Sequence, residues 1–317
     1  MIDDFQILSI NHLDSSAEQR AAYGLSRIDN LELTTRIAQS KAFSWFSVLY
    51  TSNRIEFHLI SKHRNPSSIM NELSQYLAFT DKTLADSIVH SFKHYSGITA
   101  IKHLLRVSCG IDSEKVGEKH ITAQIRRAYN ESMKFQHNDF IHLLQNYIAR
   151  QEKTIRKLSG LNKEYKSEAG IILELIKEVV KYPNILFINL NRITNTLAIK
   201  IAEKGITSFS IFINNSEQSY SPELANYLIP NLNDCPKGTN VIIISSDYNI
   251  SDAFSIKPEL IVNLSESELF SYSNCKTINK SYIDSIVLDT KAELIKSKEI
   301  AENIISDLPI DHQIFVS

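Results

Sequence analysis

The sequence predicts an α/β chain in two parts, an α+β segment followed by a parallel α/β domain. Beyond Pro183 the continuous apolar strands "NILFINL", "SFSIFIN", "NVIIISS" and "ELIVNL" alternate with helical stretches. That is the pattern of buried parallel strands joined by right-handed crossovers. Before it, extended and helical signals alternate over about the first 60 residues. From about Asn65 to Tyr182 they give way to apolar residues spaced three and four apart. At 317 residues the chain has length for about two domains, each with its own core.

Taken in order, "FQILSIN" reads as a strand and "AEQRAAYGL" as a helix. "WFSVLYTS" and "RIEFHLIS" read as two further strands, or as one strand pair around Thr51 to Asn53. "HRNPSS" punctuates the switch to helices, one of which carries Ile121, Ile125 and Ala128 at helical spacing. Within this run Gly110 permits a sharp bend, and the next helix is expected to start near Asp112, with Ser113 and Glu118 projecting from its beginning. "ITNTLAIKIAEKG" reads as a helix closed by Gly205. A last amphipathic helix, roughly Thr290 to Leu308, aligns Leu294, Ala301, Ile304 and Leu308 on one face.

Composition narrows the function classes. Thirty-four Lys and Arg against 36 Asp and Glu leave no broad positive field for general nucleic-acid binding. Cys109, Cys235 and Cys275 are too scattered for a disulfide framework or a zinc site, so no metal is expected. "MIDDFQILSI" lacks the basic start of a signal peptide, and no apolar run approaches the ~18 residues needed to span a bilayer. A reducing cytoplasm and no membrane association are the expectation. Glycine is scarce, with eight in all and none between Gly170 and Gly205.

Three clusters have residue types that can do chemistry. In "TSNR" a hydroxyl, Ser52, stands beside a guanidinium, Arg54, able to hold a carboxylate bidentately. On local sequence alone Ser52 is either a nucleophile or an ordinary strand-end hydroxyl, since serine without a base is a weak nucleophile. In "AIKHLLRVSCGIDSEKVGEKHITAQI" His103 and Arg106 lie three apart and share a helix face. There too a partly buried structural histidine and a solvated Glu118 are the plain alternative. The third cluster, "NLNRIT", follows the first parallel strand, where a dinucleotide site wants G-x-G-x-x-G. Asn189, Asn191 and Thr194 take the three glycine places, with Leu190, Arg192 and Ile193 between them. Side chains therefore stand where pyrophosphate would meet bare backbone amides.

In combination these stretches resemble the glutamyl-tRNA reductase family. "ILSINHLDSSAEQR" looks like the family's opening strand and N-H motif, and "TSNRIEF" like its S-T-C-N-R-x-E motif. The segment from Ala100 to Ile125 is similar to its H-L-x-R-V-x-S-G-L-D-S-x-x-x-G-E-x-Q-I-x-x-Q-V run. The resemblance implies tetrapyrrole biosynthesis: a cysteine thiolate attacks glutamyl-tRNA, and NADPH reduces the thioester to glutamate-1-semialdehyde. It implies glutamyl contacts for Thr51, Asn53, Arg54, Ser113, Glu118 and Gln124, with Arg54 as carboxylate clamp and His103 supporting acyl transfer. It also implies a substrate-recognition domain over 1–158, a helical connector over 159–182, a Rossmann-like domain over 183–285 and a remnant of the family's spinal helix over 286–317.

The departures from the family are specific. Ser52 occupies the nucleophile's position, and a serine hydroxyl needs a positioned base where a thiolate does not. Lys119 and His120 replace a Pro-Gln pair at the substrate edge, and Asn215 stands where an arginine would meet the NADP 2′-phosphate. The dimerisation domain has no counterpart in this sequence, which implies a monomer or weak association. Cys109, near His103, reads as either a relocated nucleophile or a small buried filler. For tRNA, Arg150, Lys153 and Lys157 align on one helix face, the alternative being a solvated surface. The favoured functional reading is a reductase-like protein with impaired catalysis and a binding or regulatory role. The others are an active NADPH-dependent reductase and a non-catalytic interaction module.

Overall fold

A computed structural model of the chain describes every residue except 1, 26, 162–166, 206–207, 215–219, 247–256, 266–274 and 316–317. The chain divides into two compact units, residues 1–165 with 294–317, and residues 166–293.

The first unit is built on an antiparallel sheet. Strand β1 (Phe5–Asn11) is followed by helices α1 (Ala17–Ala21) and α2 (Arg27–Ser40), then by the hairpin β2 (Trp45–Thr51) and β3 (Arg54–Ile60). Helices α3 (Pro66–Ser74) and α4 (Lys82–Ile88) lead to β4 (Lys93–Ser96), and α5 (Ile98–Ser108), α6 (His120–Met133) and α7 (Asp139–Ser159) follow. Side-chain caps start the helices: Ser16 closes a capping box on α1, Asn65 caps α3 ahead of Pro66, and Asn138 caps α7.

The strand order is β2-β3-β1-β4. Because side chains alternate faces along a strand, the register sorts the sheet into two sides. Leu8 opposes Phe57 and Ile10 opposes Ile55, and with Phe46, Val48 and Leu59 they form one apolar face against Tyr23, Leu33, Ile37, Ile69 and Leu73. On the other face Phe5 opposes Ile60 and Ile7 opposes His58. Ser9 opposes Glu56 and Asn11 opposes Arg54 there. That second face is covered by α5, α6 and α7 through Leu104, Ile125, Tyr129, Phe140 and Leu144, joined by Ala301 and Ile305 from near the chain's end. A row of polar side chains is thus placed under helices instead of in water.

The second unit runs through α8 (Glu168–Val179), β5 (Asn184–Ile188), α9 (Arg192–Lys204), β6 (Ser208–Phe212), β7 (Leu228–Ile229), β8 (Val241–Ile244), β9 (Leu260–Asn263) and β10 (Lys276–Asn279). All the strand pairs are parallel and the order is β10-β9-β8-β5-β6-β7. This is the six-strand order of a doubly wound Rossmann sheet, with its reversal between β5 and β8. Ile185–Ile188 and Val241–Ile244 are fully buried, as continuous apolar strands in such a sheet must be. Helix α10 (Lys280–Asp307) begins in this unit and ends in the first.

The mixed α/β class and the four long parallel strands agree with the sequence reading, and three details differ. Helix α6 begins at His120, not near Asp112. The intervening residues close a loop in which Gly117 N donates to Gly110 O at 3.0 Å and Ser113 N to the same oxygen at 3.4 Å. Ser113 and Glu118 therefore project from a loop. Helix α10 begins at Lys280, well before Thr290, because Asn279 Oδ1 accepts from Tyr282 N at 3.1 Å and caps it. The short strands β4, β7 and β10 are additional, and β4 interrupts the stretch that reads as helical.

Gly110 is the hinge of that loop. Its φ is 67°, and a Cβ there would lie 2.6 Å from Glu118 N and 2.9 Å from Glu118 O. Both strain and clash oppose any side chain. Gly110→Ala is expected to lower the stability of the first unit by about 3 kcal/mol. The check is a urea titration followed by Trp45, the chain's single tryptophan, buried in this unit. The midpoint should fall with an unchanged slope.

Candidate functional site

The polar row on the covered face centres on one carboxylate. Glu56 is fully buried in the middle of β3. Its Oε1 accepts from Ser9 Oγ at 2.8 Å, from His103 Nε2 at 3.0 Å and from Arg54 Nη1 at 3.1 Å. Its Oε2 meets His58 Nε2 at 2.9 Å, and His58 Nδ1 meets Tyr129 Oη at 2.7 Å. Burial alone would push the Glu56 carboxyl up, but the charge and hydrogen bond of His103, the hydrogen bond of His58 and the charge of Arg54 hold it well below the ordinary range. Burial pushes the His58 imidazole down against the pull of Glu56, and it pushes the Tyr129 phenol well above its ordinary value. The His103 ring stacks on Tyr95 with centroids 3.9 Å apart and planes 11° from parallel.

Arg54 ties this cluster to the loop after α5. Its Nη2 donates to Asp112 O at 2.7 Å, the residue is fully buried, and its Nε is buried without a partner. Arg106 grips the Asp112 carboxylate from the other side, Nε to Oδ2 at 3.0 Å and Nη2 to Oδ1 at 2.6 Å, and reaches Glu302 at 3.0 Å. Burial pushes the Asp112 carboxyl up, and the Arg106 hydrogen bonds and charge overcome that and lower it. A third arginine, Arg156, holds the far end of the loop, donating to Gly117 O and Glu118 O at 2.8 Å each and to Ser108 O at 3.1 Å. Three buried or half-buried guanidinium groups thus fix the segment that carries Ser113, which is buried, and Glu118, which is half-buried. Lys119, His120 and Gln124 are exposed at the start of α6.

Ser52 sits in a different setting. It and Asn53 form the two-residue connection between Thr51 and Arg54, which pair across the hairpin. The carbonyls of this tip are tied down, Ser52 O by Arg20 Nη2 at 2.7 Å and Asn53 O by His12 N at 2.8 Å, and Thr51 Oγ1 accepts from Asn53 N at 3.2 Å. Ser52 is exposed, and among the described residues no side chain hydrogen bonds to its Oγ. Cys109 is fully buried, and burial pushes its thiol up to about 12. It is therefore no source of thiolate near neutral pH.

In the second unit, the segment after β5 is satisfied by its own side chains. Asn189 takes the left-handed conformation, φ 59°, that glycine supplies in a dinucleotide loop. Its Oδ1 accepts from Asn214 N at 3.0 Å and its Nδ2 donates to Ser246 Oγ at 2.9 Å. Asn191 Oδ1 accepts from Ile193 N at 2.9 Å and Thr194 N at 3.0 Å, the first free amides of α9. Thr194 Oγ1 in turn accepts from Asn191 N at 2.8 Å and meets Ser245 Oγ at 2.8 Å, across the β5–β8 reversal. Leu190 is buried, Ile193 half-buried and Arg192 exposed, 3.9 Å from Glu168. Asn215 lies outside the described residues.

Sequence reasoning singled out Arg54 and His103 but missed Glu56 itself, Ser9, His58, Tyr129 and Arg156. The polar alternation Arg54, Glu56, His58 within a strand was the available signal. For Arg156 it was the position eight residues after buried Ile148, on the helix's inner side, while Arg150, Lys153 and Lys157 are all exposed. Among the described residues no cluster of His, Cys, Asp or Glu could hold a metal ion, and no helix is long and apolar enough to cross a membrane.

Two measurements test this geometry. Glu56 and His58 both have folded values below their unfolded ones, so each adds stability above its unfolded pKa, about 6.5 for His and 4.3 for Glu. That stability is lost as the pH falls through the folded values. Tyr129 has the opposite sign, and its contribution is lost above about pH 10. The Trp45-detected urea midpoint should therefore be highest between about pH 7 and 9 and start to fall near pH 6.5. That fall should be reduced in His58→Gln, with the remainder supplied by His94, whose imidazole burial also pushes down. Separately, a thiol reagent should modify the half-exposed Cys235 and Cys275 in the native protein and reach Cys109 only in denaturant.

Residues 8–158 match the model of the glutamyl-tRNAGlu reductase N-terminal domain. The glutamyl-tRNA reductase of Sulfolobus acidocaldarius is 27% identical over 276 residues, 82% of this chain and 63% of that protein. That of Aliivibrio fischeri is 31% identical over 128 residues, 40% of this chain and 29% of that protein. The chain thus spans less than two thirds of the length of these curated relatives. The fold is that of the glutamyl-tRNA reductase from Methanopyrus kandleri, with a TM-score of 0.65 at 16% identity over 96% of this chain and 79% of that one. Residues 8–158 thus match a glutamyl-tRNA reductase N-terminal domain, and the chain shares the fold of a glutamyl-tRNA reductase.

Proposed function

We propose that this chain is a glutamyl-tRNA reductase-like protein of tetrapyrrole biosynthesis that recognises the glutamyl end of glutamyl-tRNA without reducing it, in a binding or regulatory role. The observation that carries this reading is Ser52. At the family's nucleophile position stands an exposed hydroxyl with no base hydrogen-bonded to it among the described residues. Such a hydroxyl is a poor nucleophile at neutral pH. Cys109, buried and protonated, supplies no substitute.

The cofactor loop supports the same reading. The family is NADPH-dependent, and a pyrophosphate would need the backbone amides at the start of α9. Ile193 N and Thr194 N already donate to Asn191 Oδ1, and the Asn189, Thr194 and Ser245 side chains occupy the surrounding crevice. As arranged, these residues do not fit a dinucleotide. Of the residues expected to meet the glutamyl group, Thr51, Asn53 and Glu118 are half-buried and Gln124 is exposed. Arg54, by contrast, is fully buried with Nη1 on Glu56 and Nη2 on Asp112 O, so as arranged it orders the site and does not itself clamp a carboxylate. The exposed face of Arg150, Lys153 and Lys157 offers phosphate contacts to tRNA, which would weaken with salt.

An active reductase is the competing reading, and the intact His103–Glu56 pair is what favours it. One assay separates the two: purified protein with glutamyl-tRNA and NADPH, following ester loss and NADPH oxidation independently. The wild type is expected to bind the tRNA and leave both at background. Ser52→Cys should speed ester loss by about a hundredfold, as a thiolate replaces a hydroxyl, still without NADPH oxidation. Steady NADPH oxidation by the wild type, matched by semialdehyde, would overturn the proposal.

A further inference from the structure

We propose that His58 and Tyr129 are positioning residues, which hold the Glu56 carboxylate in the one orientation that fixes Arg54 and His103. This deepens the glutamyl-binding reading above and rests on it for its functional consequence, though not for its geometry.

The donors and acceptors around Glu56 admit one complete assignment of protons. Glu56 is buried with four hydrogen-bond partners, and an ionised carboxylate only accepts. Both histidines present Nε2 to it, His58 at 2.9 Å to Oε2 and His103 at 3.0 Å to Oε1, so both must carry their proton there. His58, buried and neutral, then has a bare Nδ1, whose neighbour at 2.7 Å is the Tyr129 hydroxyl. That hydroxyl has one proton and stays protonated, so it donates to Nδ1. No other proton arrangement satisfies every group in the chain Tyr129–His58–Glu56. Tyr129 thereby selects the His58 tautomer, and His58 selects which Glu56 oxygen is left for Ser9, Arg54 and His103.

The pair is also held rigidly from outside. Tyr129 packs edge-on against Trp45, with centroids 4.9 Å apart, and against the His58 ring at 5.5 Å, and the three are buried. Without a donor on Oε2 the carboxylate is held through Oε1 alone, and a swing about its last bond displaces Oε1 from its three donors. His103 Nε2 and Arg54 Nη1 then lose their common acceptor. A histidine ligand needs a second partner to fix it, and so does this carboxylate.

Packing alone makes a different prediction from positioning, which gives the test. Phenylalanine at 58 keeps the ring volume and removes both hydrogen bonds, whereas glutamine keeps a donor toward Glu56 and an acceptor toward Tyr129. The probe is the 15N imidazole spectrum of His103, recorded on protein shown by circular dichroism and Trp45 emission to be folded. Wild type should show Nε2–H on both His58 and His103, and the His103 signals should move in His58→Phe and Tyr129→Phe and return in His58→Gln. Should His58→Phe fail to fold, Tyr129→Phe, which removes a single oxygen, carries the test. Unmoved His103 signals in the folded phenylalanine variants, or an Nδ1–H tautomer on wild-type His58, would overturn the proposal. In a second arm, filter binding of glutamyl-tRNA should weaken about tenfold in His58→Phe and stay within about threefold in His58→Gln. If the wild type binds no glutamyl-tRNA, the functional reading fails, and the spectra still decide the positioning role.

Discussion

A carboxylate without access to water is the constraint on which the first unit depends. Taking an isolated charge out of water costs several kcal/mol even after relaxation, so Glu56 is stable only where its oxygens are fully occupied. Ser9 from β1, Arg54 and His58 from β3 and His103 from α5 supply that occupancy. Each partner then imposes its own demand. Arg54 needs a second acceptor and takes the Asp112 carbonyl, and Asp112 takes Arg106, which reaches Glu302 on α10. One buried charge thus links the sheet, the helix above it, the loop beyond that helix and the end of α10. The network is weak evidence for high stability, since a well-packed apolar cluster can do as well. What it supplies is a single arrangement of Arg54 and His103.

This is also where sequence and structure part. Strands with apolar residues at one parity and Arg54, Glu56 and His58 at the other read as half-solvated, because alternation ordinarily marks a sheet with one face in water. Here α5, α6 and α7 cover the polar face, and nothing in the local pattern of β3 records that. What was legible followed strong local chemistry. "FQILSIN" is β1 residue for residue, the two apolar runs around Ser52 form the hairpin, and Gly205 ends α9 in the left-handed conformation its position required. The illegible parts lacked such chemistry. "KHYS" has no apolar alternation and becomes β4 only because β1 offers it an edge. The residues from Asp112 to Lys119 include good helix formers, but tertiary anchoring by Arg54, Arg106 and Arg156 overrides their propensity.

The loop after β5 shows the reverse case, a site whose alteration was plain from sequence while its consequence was not. Replacing glycines by asparagine and threonine adds atoms, and that much follows from "NLNRIT" alone. The structure adds that these side chains hydrogen-bond to the first amides of α9 and to Ser245 and Ser246. A helix start with bare amides is an anion site and also a liability, since its orphan donors are satisfied only when ligand is bound. The capping box of Asn191 and Thr194 removes that liability permanently and contributes about 1 kcal/mol to the helix without any ligand.

Mass action gives this exchange its functional meaning. A nucleotide-binding unit gains stability from its ligand in proportion to the logarithm of ligand concentration over dissociation constant. A unit that caps itself has no such dependence, because the same amides cannot serve two acceptors at once. Any dinucleotide entering this crevice must first break the Asn191 contacts and leave Thr194 and Ser245 without their present partners, so part of its binding energy goes to undoing what the chain already has. In the first unit Arg54, Asp112 and Arg106 are likewise held by contacts within that unit, with both Arg54 terminal nitrogens already on internal acceptors. Each unit's polar network is therefore complete from its own side chains, Glu56 with its donors in the first and Asn191 with Thr194 in the second.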